Sequence, residues 1–295
     1  MNQNQADKYW LALAHAPCNI GSNHVIHLLN CFGNLGNVFE ANRRELQALH
    51  LERQLLLYLQ NPNWYAVEGD MRWLAEKDHY LLSLDHPNYP WRLREIYHPP
   101  LVLFVRGDYT LLNSIQLAIV GTRRASDEGM QTAQTFAKQL SHQGLTITSG
   151  MFYGIEGASH VGALAGTGKT IAVLGWGLDQ IYPPAHRELG DKIAETGALV
   201  SEFPPGTPVK HEHFLRRSRI ISGLSLGTLV IEAAKYSYSL KTIYFALEQG
   251  REVFAVPGSI YNPLTKGCHQ LIKQGAKLVE TTEDILDELK IYLNG

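Results

Sequence analysis

Cysteine is scarce in this chain, and its scarcity argues against two common ways of holding a fold together. The three cysteines, Cys18, Cys31 and Cys268, are far apart in a chain of 295 residues, and none belongs to a Cys-x-x-Cys pair. Such spacing disfavours a disulfide framework and a zinc site, and it suits the reducing cytoplasm. We therefore expect a cytoplasmic protein whose core needs no covalent or metal cross-link.

The chain also lacks long apolar runs and an excess of charge of either sign. No apolar run approaches the ~20 residues of a membrane-spanning helix, and the start, MNQNQADKYW, shows no secretion signal. The formal net charge is −2, so anion binding requires a local basic patch rather than the charge of the whole chain. Apolar residues make up 45% and charged residues 18%, which predicts a globular protein without membrane association.

A helical pattern is present at the start of the chain. Apolar residues recur at roughly helical intervals over the first 75 or so residues. Ser22 or Asn23 is placed to cap one helix, and another is predicted to begin near Asn42. Short helices joined by glycine-containing turns are typical of helix-hairpin-helix and sterile-alpha-motif modules, so residues 1–78 are predicted to form a small all-helical domain. Such modules bind DNA or proteins, and without a basic cluster a docking or dimer role fits equally well.

Strands and helices alternate in the rest of the chain. Residues 79–118 are predicted to be a connector with the first strand of the core, because HPNYPWRLREIYHPP holds four prolines and LVLFVRGD reads as a strand. From 119 to 295, apolar strands such as TIAVLG and GTLVIEA are separated by helical segments. This rhythm predicts an α/β fold with a doubly wound, mostly parallel sheet, whose ligands bind at the carboxyl ends of strands.

The stretch GALAGTGKT, residues 162–170, looks like a nucleotide-binding loop but fails as one. A Walker A loop needs a glycine five positions before Gly168, where this chain has Ala163. The flanking elements are also reversed, because a helix is predicted before the stretch and a strand after it. We therefore expect a glycine helix stop, with Lys169 near the negative end of the helix.

Two other glycine loops are better candidates for anion binding. In IVGTRRASDEG a strand ends at Gly121, and Thr122 and Arg123 follow just before a helix. In TSGMFYGIEG, Ser149 and Gly150 stand in the same relation to the next strand and helix. Amides at a helix start, together with arginine, bind phosphate well. The alternative for the first loop is an ordinary turn with surface arginines.

A basic segment with an aromatic residue follows at VKHEHFLRRSRIISG. It carries Lys210, Arg216, Arg217 and Arg219. Single-stranded nucleic acid is bound by basic groups that follow the phosphates and by rings that stack on bases. Phe214 is the candidate ring. The alternative is a solvated basic loop with Phe214 packed into the core.

Taken together, these segments resemble the DNA-processing protein A family (DprA, also called Smf), from about residue 85 to 286. The resemblance is carried in order by several motifs, among them AIVGTRRAS, TSGMFYGIEGASHVGAL, IAVLGWGLDQIYP, FLRRSRIISGLS and GREVFAVPGS. It implies an extended Rossmann core that binds incoming single-stranded DNA during natural transformation, protects it and loads the RecA recombinase. Members form homodimers and are not known as enzymes, so the resemblance implies no catalytic residue and no cofactor.

The resemblance also implies which residues bind DNA. Arg123 matches the arginine of the family's G-[ST]-R loop, Ser149 and Gly150 match its Ser-Gly loop, and Phe214, Arg217 and Arg219 fall in F-P-x-R-N-R. The full predicted DNA site is Gly121, Thr122, Arg123, Ser149, Gly150, Lys210, Phe214, Arg217, Ser218, Arg219 and Lys241. The chain departs from the family near this site at Leu215, Ser218, Tyr238, His269 and Glu156.

Two other functions remain open from the sequence. One is a nucleotide-binding enzyme of the lysine decarboxylase-like phosphoribohydrolase type, whose P-G-G-x-G-T-x-x-E motif is only partly present in SGLSLGTLVIE. Its glutamate would fall at Ile231, and Glu232 is one residue late, which leaves hydrolysis without its acid/base group. The other is a scaffold that docks protein partners.

Overall fold

The computed structural model describes residues 3–17 and 20–293, and its first part is helical. Six helices precede the first strand: α1 Gln3–Ala14, α2 Ser22–Phe32, α3 Leu35–Glu40, α4 Arg43–Gln47, α5 Arg53–Gln60 and α6 Trp64–Leu74. Trp10, Leu28 and Leu46 belong to an apolar cluster that continues into residues of the sheet. The ring of Trp73 lies edge-on to Phe104, with centroids 5.9 Å apart. The helices therefore pack on the sheet through a shared core.

Asparagine caps begin several of these helices. The Asn42 side chain accepts hydrogen bonds from the backbone of α4, and the Asn42 amide donates one to the Glu45 carboxylate, which together form a capping box. For α2 the sequence predicts a cap at Ser22 or Asn23, but the cap residue is Gly21 and Ser22 is already helical. The prediction was wrong by one residue, since a glycine also caps well enough to let the helix begin earlier.

Nine strands in the described part of the chain form one sheet. They are β1 His79–Ser83, β2 Val102–Gly107, β3 Gln116–Val120, β4 Thr146–Ser149, β5 Thr170–Leu174, β6 Ala198–Ser201, β7 Gly227–Val230, β8 Glu252–Ala255 and β9 Lys277–Leu278. Their order is β1-β2-β6-β5-β4-β3-β7-β8-β9. In this order, each strand from β6 across the sheet to β9 is parallel to its neighbours within that range. Strand β2 is antiparallel to both β1 and β6. The expected mostly parallel α/β sheet after a helical region is confirmed.

The proline-rich segment contributes more to this sheet than a connector with one strand. Both β1 and β2 lie within 79–118, and they pair with each other in register. Its four prolines all fall between the two strands, where only the short helix α7, Trp91–Arg94, forms. Because proline interrupts the link and not the strands, the sheet starts at His79.

The remaining helices cover both faces of the sheet. They are α8 Asp127–His142, α9 Ile155–Leu164, α10 Arg187–Thr196, α11 His211–Leu224, α12 Leu240–Glu248, α13 Lys266–Lys273 and α14 Thr282–Leu293. Along β5, Ile171 and Val173 join one apolar cluster, while Ala172 and Leu174 join another, as the two-residue period of a strand requires. The chain adds β4 to β6 on one side of β3 and β7 to β9 on the other, so the ligand crevice of such a sheet is expected near the carboxyl ends of β3 and β7.

The residues of GALAGTGKT lie where the sequence predicts. Helix α9 ends at Leu164, Gly168 takes the left-handed φ of 82°, and β5 begins at Thr170. This turn is at the amino end of β5, whereas the expected crevice lies at the carboxyl ends of the strands. A triphosphate-binding role is therefore excluded by position as well as by sequence.

Among residues 3–17 and 20–293, no helix has the length and apolar character to cross a membrane. Of the cysteines, Cys31 is exposed and Cys268 is buried, both as free thiols, and Cys18 lies outside the described residues.

Candidate functional site

The loop after β3, residues 121–126, is held rigidly by the end of β7. A side chain at Gly121 would lie 2.5 Å from Ile155 Cγ1 and 2.8 Å from the Glu232 carbonyl oxygen, so only glycine fits. The Thr122 amide donates to that carbonyl over 2.7 Å. The Glu232 carboxylate accepts from the Ser126 amide over 2.9 Å and from its hydroxyl over 2.6 Å. Glu232 therefore fixes both the loop and the start of α8, which Ser126 caps.

Arg123 projects from this loop over two aromatic rings. Its guanidinium carbon lies 3.6 Å from the ring centroid of Phe152 and 5.0 Å from that of Phe214. Burial lowers the pKa of Arg123, while the nearby Glu156 opposes that effect. Since an arginine pKa starts above 12, the side chain stays cationic at neutral pH. The result is an exposed positive charge in a defined position at the carboxyl end of β3.

Phe214 does not have the position that base stacking requires. Its side chain is only 6% exposed. The ring meets Phe152 edge-on at 4.8 Å between centroids and Tyr238 at 6.5 Å. The predicted stacking role conflicts with this burial, because a base needs access to the face of the ring. In this arrangement Phe214 supports Arg123 from below, which is the core-packed alternative.

The loop after β4 joins the first loop through Ser149 and Gly150. The two strands β3 and β4 are parallel neighbours, and the buried Ser149 hydroxyl donates to the Ile119 carbonyl over 2.6 Å. A side chain at Gly150 would collide with the guanidinium of Arg217 and the carboxylate of Glu156. Glycine is needed here because a buried ion pair occupies the space where a side chain would be.

That ion pair is incomplete on one side. Arg217 Nη2 lies 2.7 Å from Glu156 Oε1, and Glu156 Oε2 accepts from the Phe152 amide over 2.9 Å. Both charged residues are buried. Within the described chain, Nε and Nη1 of Arg217 have no hydrogen-bond partner. A buried donor without a partner costs free energy, so an acceptor that reached Nε or Nη1 of Arg217 would stabilise the ion pair.

Arg219 belongs to a different cluster from Arg217. Arg216 donates to the buried Glu202 carboxylate over 3.1 Å and 3.0 Å, and Arg219 contacts the same carboxylate. Burial would raise the pKa of Glu202, but Arg219 and Arg216 together outweigh burial and lower it. Residues two apart on an α-helix point about 200° apart. The structure therefore separates Arg217 and Arg219, which the sequence groups in one site.

The other predicted residues divide by exposure. Lys210, the residue before α11, and Lys241 in the first turn of α12 are exposed cations. Ser218 is buried, and its hydroxyl donates to the Phe214 carbonyl over 3.0 Å, so it serves the helix itself. Tyr238 is half-buried beside His211, with ring centroids 5.1 Å apart.

Sequence reasoning missed His160, which lies under the loop after β4. This fully buried ring donates from Nε2 to the Gly150 carbonyl over 2.7 Å, and its Nδ1 lies 2.7 Å from Thr170 Oγ1. Burial lowers the pKa of His160 to about 4, against the opposing effect of its bond to Gly150. A histidine amid the small residues of GASHVGAL was the signal, since a polar ring in a buried helix needs partners.

The placement of the acidic side chains and histidines concerns two other possible functions, metal binding and hydrolysis. Among the described residues, no group of three or more histidine, cysteine, aspartate or glutamate side chains is arranged to hold a metal ion. The Glu232 carboxylate, the nearest match to a hydrolase glutamate, is buried and engaged by Ser126. It holds the loop after β3 in place.

The chain thus has a Rossmann-type α/β fold in which two arginines, Arg123 and Arg217, lie where loops from neighbouring parallel strands meet. Residues 80–290 match the model of the family named DNA recombination-mediator protein A. The chain belongs to this family, as the resemblance in its motifs predicts.

Two relatives are similar in sequence to most of this chain. Protein Smf of Escherichia coli K12 is 47% identical over 243 residues, which is 82% of this chain and 65% of that protein. DNA processing protein DprA of Bacillus subtilis is 44% identical over 209 residues, or 70% of each chain. The matched part of this chain thus spans just under two thirds of the length of the Escherichia coli relative.

Two solved structures share the fold. DNA processing protein A of Streptococcus pneumoniae superposes with a TM-score of 0.80 and 34% identity, covering 98% of this chain and 99% of that one. The Helicobacter pylori protein gives a TM-score of 0.65 and 26% identity, covering 72% and 95%. The latter structure concerns the single-stranded DNA binding mode of that protein.

Proposed function

We propose that this chain binds single-stranded DNA at the carboxyl ends of β4, β3 and β7. One observation carries the proposal: the exposed Arg123 charge lies next to the buried Arg217, two of whose donors have no partner in the described chain. The two guanidinium groups repel each other. Burial lowers the pKa of Arg123, Glu156 raises it, and the charge of Arg217 lowers it further. A phosphate bound beside the exposed Arg123 would offset the positive charge of both guanidinium groups.

The proposed site is a cationic surface supported by glycine loops. Gly121 and Gly150 allow the two loops to approach each other, and Thr122 offers its hydroxyl beside Arg123. Lys210 and Lys241 add exposed positive charge at the starts of α11 and α12. We assign Ser149 and Ser218 to the support of this surface. Arg219 belongs to the neighbouring Glu202 cluster, where it adds positive charge to α11.

The family and its studied members favour DNA over other anions. The family is named for DNA recombination mediation, and the relative from Helicobacter pylori is described with single-stranded DNA. We infer that this chain acts in the cytoplasm as a homodimeric, non-enzymatic mediator of natural transformation, which protects incoming strands and loads the RecA recombinase.

The DNA-binding proposal predicts that Arg123→Ala weakens binding of a labelled single-stranded oligonucleotide. A charged hydrogen bond contributes ~1.5–3 kcal/mol, so we expect a Kd roughly 10- to 150-fold higher by fluorescence anisotropy. Arg124→Ala is the matched control, since Arg124 is the exposed neighbour on the same loop and stands over neither ring. Equal losses in both variants, or none in Arg123→Ala, would refute the assignment.

The mediator role has a separate test. The protein should accelerate the assembly of RecA filaments on single strands coated with single-strand-binding protein, and Arg123→Ala should lose this effect in proportion to its loss of DNA affinity. Acceleration that survives the loss of DNA binding would mean that the chain acts on the recombinase alone.

A further inference from the structure

Two tyrosines have the most exposed large side chains at the carboxyl ends of the strands, where the proposed site lies. Tyr236 is 88% exposed and Tyr261 is 89% exposed. Tyr236 lies in the loop between β7 and α12, and Tyr261 in the loop between β8 and α13. Rings of this size gain free energy when they are covered, so their exposure needs an explanation beyond the packing of this chain.

The sheet places these loops in line with Arg123. Strands β4, β3, β7 and β8 are consecutive parallel neighbours, and the loops that follow them carry Gly150, Arg123, Tyr236 and Tyr261 in that order. Three strand spacings amount to about 14 Å. That distance matches about four nucleotides at the ~3.4 Å spacing of a stacked strand.

The loop with Tyr261 is held in one conformation. His269 Nε2 donates to the Gly258 carbonyl over 2.9 Å, and the Thr265 hydroxyl donates to the Ser259 carbonyl over 2.7 Å. Lys266 donates to the carbonyl of Ile260, the residue before Tyr261. Fixed aromatic residues lose little conformational entropy when a ligand binds.

The loop with Tyr236 is tied to the same neighbourhood. The Gly267 amide at the start of α13 donates to the Ala233 carbonyl over 2.8 Å, which joins the two loop regions. The Ser237 amide donates to the Ala234 carbonyl over 2.9 Å, closing a turn around Tyr236. Both tyrosines therefore project from a connected surface at one edge of the sheet.

Lysines lie in both of the chain segments that carry the two rings. Residues 233–247 and 256–279 contain no aspartate or glutamate, while they include Lys235, Lys241 and Lys266. The Lys235 ammonium lies 5.4 Å from the centroid of the Tyr236 ring. Because the whole chain has a net charge of −2, this composition marks a local surface suited to a polyanion.

We propose that Tyr236 and Tyr261 form a base-stacking platform for the strand whose phosphates contact Arg123. The inference rests on the proposed function and extends it: the bound strand runs from the ends of β4 and β3 across those of β7 and β8. Lysines beside the rings neutralise phosphates, and the ring faces bind bases without regard to sequence. The platform takes over the stacking role that the buried Phe214 does not have in this structure.

A cycle of protein and DNA changes tests the platform. Tyr236→Ala, Tyr261→Ala and the double variant are compared with wild type on a short oligothymidine and on the same oligonucleotide with abasic positions. Each alanine should weaken binding to oligothymidine about fivefold or more. The double variant should bind both oligonucleotides alike, because the bases no longer have a ring to contact, and the phenylalanine variants should retain wild-type affinity. Tyr65→Ala is the control, since Tyr65 is 80% exposed on α6.

The outcomes distinguish this inference from the proposed function. If Arg123→Ala weakens binding while the tyrosine variants bind like wild type, the platform is refuted and the DNA site stands. If the tyrosine variants lose affinity equally for normal and abasic DNA, stacking is refuted. If wild type binds no single strand, the proposed function itself fails. Variants that change the sedimentation of the protein but not its DNA affinity would show that a second copy of the chain covers the rings, and would overturn the platform.

Discussion

Arg217 shows how a single residue can prepare a site for a ligand. Its charge is balanced by Glu156 over 2.7 Å, which makes burial tolerable, yet Nε and Nη1 have no partner among the described residues. Removing one partner of a buried pair leaves the other charge uncompensated. Glu156 therefore keeps Arg217 in place beside Arg123, where we propose that a phosphate binds.

His160 makes the protein sensitive to acid. Burial lowers its pKa to about 4, so the folded state keeps the ring neutral where the unfolded chain, near pH 6.5, binds a proton. Its contribution to stability is complete above pH 6.5 and is lost as the pH falls towards 4, amounting to about 3 kcal/mol. Urea denaturation at a series of pH values should show this loss in wild type. His160→Gln should be less stable at neutral pH and should lack that part of the slope, and an unchanged slope would contradict the assignment.

Residue positions were the hardest part of the site to predict. The sequence places Arg217 and Arg219 in one motif, but the helical period directs them to Glu156 and to Glu202. Burial of Phe214 likewise depends on rings from the loops after β4, β5 and β7, which no local pattern reveals. Arg123 was easier to recognise, since a strand end followed by a capped helix start fixes its surroundings locally.

Among the elements, the loop after β3 and the end of β7 act as a unit. Glu232→Gln should loosen this unit, because an amide nitrogen cannot accept the hydrogen bond that one carboxylate oxygen now takes from Ser126. We expect a loss of about 1–3 kcal/mol in the free energy of unfolding, with weaker DNA binding through a displaced Arg123. Glu248→Gln is the control, since Glu248 is exposed on α12. Denaturation and anisotropy measure both effects, and a stable variant with normal binding would contradict this role.

Elements with local signals were predicted well, and those without were not. Strand β5, for example, lies within TIAVLG, which the sequence predicts to be a strand. Strand β1 was missed because HYLLS is short and is followed by a proline-rich link, and only its pairing with β2 makes it a strand. The cap of α2 was misplaced by one residue because glycine is a weaker sequence signal for a helix cap than serine.

For the whole molecule, the mostly parallel α/β fold and the family follow from the order of motifs, and both are confirmed. The charge distribution could not be predicted from the total, because a net charge of −2 conceals a lysine-bearing surface on the loops after β7 and β8. Three-dimensional proximity creates that surface from segments distant in sequence.

The salt dependence of DNA binding tests the central claim most directly. For single strands, the slope of log K against log salt changes by about 0.7 for each phosphate contact. Wild type should show a clear slope, Arg123→Ala a slope smaller by about 0.7, and Arg124→Ala the wild-type slope. A slope that is unchanged in Arg123→Ala, or equally reduced in both variants, would show that the strand does not bind at the carboxyl end of β3.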